Sequence, residues 1–380
     1  MLLALTTTHA SFAADSIKES APSISTDVLT DAAGNIIILS QTSTEATFGN
    51  DAYLAQEGDN NGIDASLEGE ANTTDILQIG ANNITISASL GNNNSQAVYQ
   101  DGENNQVENI VTGDNNYLEV SQEGDGYQGF GNVAVNAVTG SDNQIIQTQG
   151  DGGHWVFNNN LTGNNNAIET EQAGQWGEIY VSNLEGDLND VFISQDGYWN
   201  VTKIETIEGS LNQVAIDQLG NENKITVTEL RGDQNFIAIE QNGNTNTVAY
   251  SMFGLQGSAN DAILVQTGDN NQSFFEVAGE GSLLDTSQTG NDNIAFLGSA
   301  GGGNTLSLDQ VGNGNIGQTL VIDAFFNQID IIQVGEENLA VVEALGANYA
   351  DENNINVAQI GNMNDALVTL ATETNTIFNN

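Results

Sequence analysis

The sequence predicts an all-β fold, a β-solenoid of about 14 stacked strand–arc–strand rungs with about 22–23 residues in each rung. The first observation is a fixed period, because the pattern Asn-x5-Gln-x-Gly-x-x-Asn returns along the chain from near Asn50 to the C-terminus. The second is alternation of apolar and polar residues between Asn and Gln, which is typical of a strand with one buried face. The third is the recurring Gly-x-x-Asn spacing, which predicts turns between strands.

Residues 235–241 illustrate the first strand of a rung. Ile237 and Ile239 occupy alternate positions, with polar or small residues between them. A second strand opens at Asn246, where Val248 continues the alternation. One rung alone buries too few apolar side chains to offset the conformational entropy lost in ordering about 22 residues, so rungs must stack on one another.

Amide side chains stand at the strand ends, and we expect them to stack in ladders. A buried amide has two donors and two lone pairs, and an identical amide one rung away satisfies them. The predicted ladder residues are Gln56, Gln78, Gln100, Gln122, Gln149, Gln172, Gln195, Gln218, Gln241, Gln266, Gln288, Gln310, Gln333 and Gln359, with Asn72, Asn94, Asn116, Asn143, Asn166, Asn189, Asn212, Asn235, Asn260 and Asn304. For the asparagines, the alternative is that they only form turns.

Composition limits the partners. The net charge is -47, and four Lys and Arg residues oppose 51 acidic residues, so nucleic acid and anionic membrane surfaces are not predicted partners. The chain has no cysteine, which excludes disulfides and thiolate chemistry. Its single proline agrees with a backbone that is mostly engaged in strand ladders. No stretch of 18 apolar residues predicts a membrane-spanning helix.

The N-terminal region departs from the repeat. Residues 1–13 resemble the end of a secretion signal, with small residues before a cleavage position at Ala13 and with the true start upstream of Met1. The alternative is a cytoplasmic protein with an apolar N-terminus. Residues 14–34 are predicted to be a flexible segment, and residues 35–380 the repeat solenoid, in which residues 35–41 are a degenerate strand that either starts or caps the array.

The repeat resembles the curlin repeat of curli subunits, the secreted bacterial amyloid proteins of biofilm matrix. The resemblance covers about residues 35–380, and Gln-x-Gly-x-x-Asn is intact at Gln56, Gln78, Gln100, Gln195, Gln218, Gln241, Gln266, Gln288, Gln310, Gln333 and Gln359. The second strand departs from it, because Thr206, Glu229 and Met252 stand where a closing glutamine is expected. This chain is also longer and more acidic than the familiar subunits.

The resemblance implies a structural, self-assembling extracellular protein, a curli-like amyloid fibre subunit or nucleator that contributes to biofilm matrix, adhesion and aggregation. It implies a cell-surface fibre of a Gram-negative-type bacterium. The implied partners are further copies of the chain, end to end, and curli-type secretion and nucleation proteins. The choice between major subunit and nucleator stays open, as does the choice between a polymerising and a capped solenoid.

The arcs lengthen between residues 124 and 200 and contain many aromatic residues. These are Trp155, Trp176, Trp199, Tyr127 and Tyr198, with Phe130, Phe157 and Tyr180 nearby. Two interpretations stay open: a platform for glycan or lateral fibre contact, or rings that fill space where the arcs bulge. The first gives the alternative function, a monomeric secreted β-solenoid adhesin that binds glycan or surfaces through this patch.

Acidic residues suggest two further expectations. Asp125, Asp151 and Asp196 are weak candidates for Ca²⁺ ligands, although no complete Ca²⁺-binding loop is present and no other cofactor is predicted. Carboxylates on successive rungs would stand about 5 Å apart, so ionised ladders are expected to repel and to slow assembly at neutral pH and low salt.

An enzyme is not predicted. A lyase on a parallel β-helix needs a base and cations that neutralise an acidic sugar, whereas this chain has four cationic side chains and, beyond the signal, only His154. Paired carboxylates are too abundant here to identify an acid–base pair by counting.

Overall fold

The strands of this chain stack in parallel as a β-solenoid. The computed structural model describes residues 5–6, 25–30, 34–43, 49–124, 131–255, 257–322, 326–345 and 353–370, and every regular element among them is a β-strand. The solenoid has about 13 turns, close to the number predicted, and the predicted fold class is confirmed. Within these residues no helix is long and apolar enough to cross a bilayer. The chain forms two compact units, unit 1 over residues 1–188 and unit 2 over residues 189–380.

Unit 1 contains the first fifteen strands. They are β1 Leu5–Thr6, β2 Ser25–Thr30, β3 Ile36–Thr42, β4 Asp51–Asp59, β5 Gly62–Glu68, β6 Thr73–Ala81, β7 Ile84–Leu90, β8 Ser95–Glu103, β9 Gln106–Thr112, β10 Tyr117–Gly124, β11 Val133–Thr139, β12 Gln144–Gln149, β13 Trp155–Thr162, β14 Ala167–Gln175 and β15 Glu178–Leu184. The even-numbered strands β4 to β14 form one parallel sheet, and the odd-numbered strands β3 to β15 form the other.

Unit 2 contains the remaining strands. They are β16 Asp190–Tyr198, β17 Val201–Glu208, β18 Gln213–Leu219, β19 Lys224–Arg231, β20 Phe236–Asn242, β21 Thr247–Leu255, β22 Asp261–Thr267, β23 Gln272–Val277, β24 Leu283–Thr289, β25 Ile294–Phe296, β26 Thr305–Val311, β27 Ile316–Ile322, β28 Gln328–Val334, β29 Leu339–Leu345, β30 Asn354–Ile360 and β31 Asp365–Leu370. Even-numbered and odd-numbered strands again form separate parallel sheets, called the even sheet and the odd sheet below.

Each strand buries alternate residues between the two sheets. In β18, Val214, Ile216 and Gln218 are buried, while Ala215 and Asp217 point outward. Because the side-chain period of a strand is two, this pattern fixes which face enters the core, and a one-residue slip would expose it. The core therefore consists of stacked aliphatic side chains from the two facing sheets. From β4 onward, a buried glutamine near the end of each even-numbered strand borders this core.

The arcs between strands depend on glycine stacked over glycine. Gly91 has φ +129°, and a Cβ added to it would lie 1.9 Å from the carbonyl oxygen of Gly113 in the next rung. Only glycine accepts both that conformation and that approach. The other left-handed position is Asn93, with φ 56°. The predicted turn asparagine of this arc, Asn94, is not the left-handed residue, because the positive φ falls on the residue before it.

The N-terminal edge of the odd sheet does not continue the parallel stack. Strand β2 pairs with β3 in an antiparallel register, from Ser25 opposite Gln41 to Thr30 opposite Ile36. The predicted flexible segment, residues 14–34, is therefore a paired strand over residues 25–30, and of its other residues only Gly34 is described. The predicted secretion signal, residues 1–13, lies outside the described chain, except for the two residues of β1.

Replacing Gly91 with alanine is expected to destabilise unit 1 strongly. A non-glycine residue in that region of φ costs about 1–3 kcal/mol before the contact with Gly113 is counted. The matched control is Gly62→Ala in β5, because nothing lies within 4 Å of a Cβ at Gly62. Urea unfolding should show a clear loss of stability for the first variant and none for the second. Equal midpoints for the two variants would contradict this account of the arcs.

Candidate functional site: the amide columns and the outer faces

The fourteen predicted glutamines close the even-numbered strands and form buried ladders within each unit. In unit 1, Nε2 of each glutamine from Gln56 to Gln149 donates to Oε1 of the next, at 2.8–3.1 Å. In unit 2 the same bonds run from Gln195 to Gln359 at 2.7–2.9 Å. All fourteen side chains are buried. Parallel pairing places glutamine directly opposite glutamine at each step, as Gln218 opposite Gln241 illustrates.

The same amides tie the two sheets together. Nε2 of Gln288 donates to the carbonyl oxygen of Gln272 in the odd sheet at 3.0 Å, and Nε2 of Gln310 donates to that of Ile294 at 3.0 Å. An unpaired buried amide is costly, so these contacts matter as much as the ladder itself. Each glutamine thus fixes the register of its own sheet and the position of the neighbouring one.

The predicted asparagines form a second ladder, on the arc that precedes each even-numbered strand. Asn94 shows the pattern: its Nδ2 donates to Oδ1 of Asn72 at 3.1 Å and to the carbonyl oxygen of Gly113 at 2.6 Å. Its backbone N–H also donates to Oδ1 of Asn72, at 3.0 Å. Asn116 repeats this arrangement against Asn94. These asparagines therefore form ladders, and they are not only turn formers.

Sequence reasoning missed a third amide column, which precedes the odd-numbered strands. In unit 1, backbone N–H of Asn83 donates to Oδ1 of Asn61 at 2.9 Å, and that of Asn105 donates to Oδ1 of Asn83 at 3.0 Å. In unit 2 the column contains Asn200, Asn223, Asn246, Asn271, Asn293, Asn315, Asn338 and Asn364. The signal was present in the sequence, because these residues are the second asparagine of the Asn-x5-Gln-x-Gly-x-x-Asn repeat.

The glutamine and asparagine columns run in opposite directions. Glutamine Nε2 donates toward the following strand in chain order, as from Gln241 to Gln266. Asparagine Nδ2 donates toward the preceding rung, as from Asn235 to Asn212. A terminal rung therefore presents acceptors in one kind of column and donors in the other.

His154 replaces asparagine in the third column. Its Nδ1 accepts the backbone N–H of Gly177 at 3.1 Å, where an asparagine would use Oδ1. Its Nε2 lies 3.0 Å from the carbonyl oxygen of Gly174, where an asparagine would use Nδ2. These partners require the neutral tautomer with the proton on Nε2. Burial lowers the pKa of His154, opposed by the carbonyl contacts and by the charge of Asp151.

The core of unit 1 also contains a polar cluster. Nδ2 of Asn136 donates to Oδ1 of Asn109 at 2.8 Å and to Oε1 of Gln147 in the facing sheet at 2.9 Å. Nδ2 of Asn158 donates to Oδ1 of Asn136 at 3.1 Å. All four side chains are buried, so this part of the interior is specified by hydrogen bonds where unit 2 uses aliphatic packing.

In the described strand pairs, carboxylates on the outer faces rarely stand directly opposite one another. Direct acid-to-acid pairs occur there only at Asp101 with Glu123 and at Asp217 with Glu240. Asp309 instead lies between Ser287 and Ile332. Separation by neutral residues reduces the repulsion between rungs.

The described Ca²⁺ candidates lie in separate units. Asp125 lies outside the described residues, and Asp151 and Asp196 are exposed residues of different units. Among the described residues, no group of three or more Asp, Glu, His or Cys side chains is arranged to hold a metal ion.

The predicted aromatic residues divide between the units. In unit 1, Trp155 begins β13, and Trp176 lies in the arc between β14 and β15 with its ring over Gly153, whose added Cβ would be 3.1 Å from it. In unit 2, Tyr198 and Trp199 are about half exposed. Tyr127 and Phe130 lie outside the described chain. Phe157 and Tyr180 stack on the outer face of the odd sheet, with ring centroids 5.2 Å apart.

Replacing Gln241 with leucine tests the glutamine ladder. The change leaves Nε2 of Gln218 and Oε1 of Gln266 without this partner, and each buried orphan costs about 1–3 kcal/mol. Gln213→Leu, an exposed position on β18, is the control and should stay within about 0.5 kcal/mol of the parent. Chemical denaturation measures both. Equal stability of the two variants would contradict an energetic role for the ladder.

Replacing His154 with asparagine is expected to make the stability of unit 1 less sensitive to acid. Because the pKa of His154 is lowered in the folded state, the unfolded chain binds the proton first. Its stabilising contribution is therefore full above the unfolded pKa of about 6.5 and is lost as pH falls through the lower folded pKa. Thermal unfolding across this range should show a smaller loss of stability for His154→Asn than for the parent. Superimposable pH profiles would contradict the neutral-ring assignment.

No protein-family model matches the chain, and no curated protein sequence matches it significantly. Arguments about its function therefore rest on the repeat, the amide columns and the surfaces described above.

Proposed function

We propose that this chain is a structural, self-assembling extracellular protein, a curli-like amyloid fibre subunit or nucleator. The observation that carries the proposal is the in-register stacking of identical amides, which the terminal rung leaves incomplete. One more copy placed end to end would add the same bonds that already join rung to rung. Export, nucleation by partner proteins and a place at the bacterial cell surface belong to the same proposal, through the resemblance to curlin repeats.

The last described rung is suited to template another. Nε2 of Gln333 lies within hydrogen-bond distance of the carbonyl oxygens of Ile316 in β27 and Asn338 in the arc before β29, and of Oε1 of Gln359. Nε2 of Gln359 makes the two corresponding carbonyl contacts, with Leu339 and Asn364, and among the described residues it has no further glutamine as a partner. Oδ1 of Asn364 likewise accepts no hydrogen bond from a described residue, whereas Oδ1 of Asn338 accepts from Asn364.

The backbone of β30 adds N–H donors at this end that no other described strand accepts. The N–H of Gln328, the first outward residue of β28, donates to the carbonyl oxygen of Asn353 in the following rung at 2.7 Å. Parallel strands alternate the direction of their N–H groups, so the outward residues of β30, Asn354, Asn356, Ala358 and Ile360, direct theirs away from β28. Among the described strands β30 pairs only with β28, which leaves an edge of the kind that adds strands.

The N-terminal end differs between the two sheets. Strand β4 pairs only with β6 among the described strands, so its outer edge matches the open edge of β30 in the even sheet. In the odd sheet, β2 occupies the outer edge of β3. End-to-end growth of both sheets therefore requires β2 to leave β3, after which β3 follows β31 and β4 follows β30 with the amide columns in register.

A proline at Ala358 tests the proposed growth surface. It removes an outward N–H of β30 without breaking a bond to β28, so the folded protomer should keep its stability within about 1 kcal/mol. The variant alone should form few or no seeded fibres. In substoichiometric amounts it should shorten wild-type fibres, since it can add to an end and then block it.

Electron microscopy of seeded growth measures both effects, with Ala358→Thr as the control that keeps the N–H. Elongation of the proline variant at the wild-type rate would overturn the assignment of this edge. Wild-type rods of one length that never extend would favour the alternative, a monomeric adhesin that uses the aromatic residues of 124–200.

A further inference from the structure

Cationic side chains are concentrated on one surface of unit 2. The whole chain has four Lys and Arg residues against 51 acidic residues, and three of the four, Lys203, Lys224 and Arg231, belong to the adjacent strands β17 and β19. Lys203 and Lys224 occupy exposed outward positions of the odd sheet. Arg231 forms an ion pair with Glu208 at 3.8 Å. In a chain of net charge -47, this surface is the least repulsive for another copy.

An apolar stripe continues on the same outer face. Phe274 and Phe296 stack there with ring centroids 4.6 Å apart and an interplanar angle of 6°. Two residues before Phe296, Ile294 stands opposite Ile316, and Ile316 stands opposite Leu339. Phe296, Ile316 and Leu339 are each between 37% and 38% exposed. Clustered outward aromatic and aliphatic residues are typical of a contact surface.

The outer face of the even sheet in unit 2 has the complementary chemistry. Ala215 and Ala238 form the floor of a shallow notch of about 340 Å³, with Phe192 at one end and Ile263 at the other. Asp217 and Glu240 stand directly opposite each other along its side, the one acid-to-acid strand pair among the described registers of unit 2. Two carboxylates placed directly opposite each other attract a cation from outside.

The two lysines and the Asp217–Glu240 pair lie at the same level of the stack but on opposite outer faces. Asp217 is on β18 and Lys224 on β19, the next strand along the chain, and Glu240 is on β20. The two sheets are separated by a core about 10 Å thick, so these groups cannot meet within one copy. Two copies lying side by side, with their strands at the same level, would bring them together.

We propose that copies of this chain associate laterally, with the odd-sheet outer face of unit 2 of one copy packed on the even-sheet outer face of unit 2 of the next. Lys203 and Lys224 of one copy meet Asp217 and Glu240 of the next. The two surfaces differ, so the contact is heterologous and leaves each copy able to bind on both sides. Lateral sheets of solenoids form in this way without any end-to-end bond.

Zero-length cross-linking tests the contact on the full chain. A carbodiimide joins a lysine amine to a carboxylate only in direct contact, and the chain has just three lysines, at 18, 203 and 224. Protein mixed from ¹⁴N and ¹⁵N preparations at low salt should give mixed-isotope links from Lys203 or Lys224 to Asp217 or Glu240. Absence of these links from associated protein, or a protein that never associates laterally, overturns the proposal.

Charge exchange supplies the second test. The variant Lys203→Glu with Lys224→Glu and the variant Asp217→Lys with Glu240→Lys should each lose lateral association by about tenfold or more, because like charges then face each other. An equimolar mixture of the two variants should regain it. Asp59→Lys with Glu103→Lys, exposed positions of unit 1, is the control for net charge and should not need a partner variant.

Mass per length from electron microscopy separates this contact from end-to-end growth. Lateral association changes filament width and mass per length, whereas the blocked edge of Ala358→Pro changes filament length. Circular dichroism and thermal unfolding establish whether each variant is folded. If a variant is not folded, the cross-links of the unaltered chain alone test the proposed contact. Unchanged width in both reversed variants, or no recovery on mixing, overturns the proposal.

Discussion

The hydrogen bond between one buried amide and the identical amide of the next rung is the constraint on which the rest of the structure depends. A glutamine such as Gln241 is satisfied only if its neighbours, Gln218 and Gln266, stand at the same height in the strand and in the same rotamer. A register error of one residue would bury an unpaired amide and expose the aliphatic core together. The amide hydrogen bonds therefore fix the register of each rung, and burial of apolar side chains stabilises it. Neither is sufficient alone.

Much of this was accessible from the sequence because the repeat is local and periodic. Alternation across 235–241 gave the buried face, and the recurrence of glutamine gave its column. The third amide column escaped because an asparagine such as Asn105, beside a glycine arc, is equally explained as a turn residue. Only the structure shows that the left-handed residue is its neighbour Asn104. The antiparallel pairing of β2 with β3 lies outside the repeat, so periodicity gave no information about it.

Electrostatics could not be predicted from composition, since the effect depends on which residues meet across strands. A net charge of -47 suggests strong repulsion along the stack. The register instead places most strand carboxylates against alanine, serine, threonine or an aliphatic residue, as Asp75 lies against Ala97. Burial still raises the pKa of Asp75, Asp285 and Asp309, with Asp285 and Asp330 adding to the effect at Asp309. The charge is thus tolerated by its spacing, and solvent screens what remains.

The opposed directions of the amide columns have an electrical consequence. A peptide-like amide carries a dipole of about 3.5 D, and aligned amides add head to tail as they do along a helix. Here the amide dipoles of the glutamine column point one way and those of the two asparagine columns point the other way. The dipole of the glutamine column cancels that of one asparagine column, and the dipole of the second asparagine column remains. Within each unit the stack of rungs therefore has a net dipole, and its two ends differ in potential as well as in the chemical groups they present.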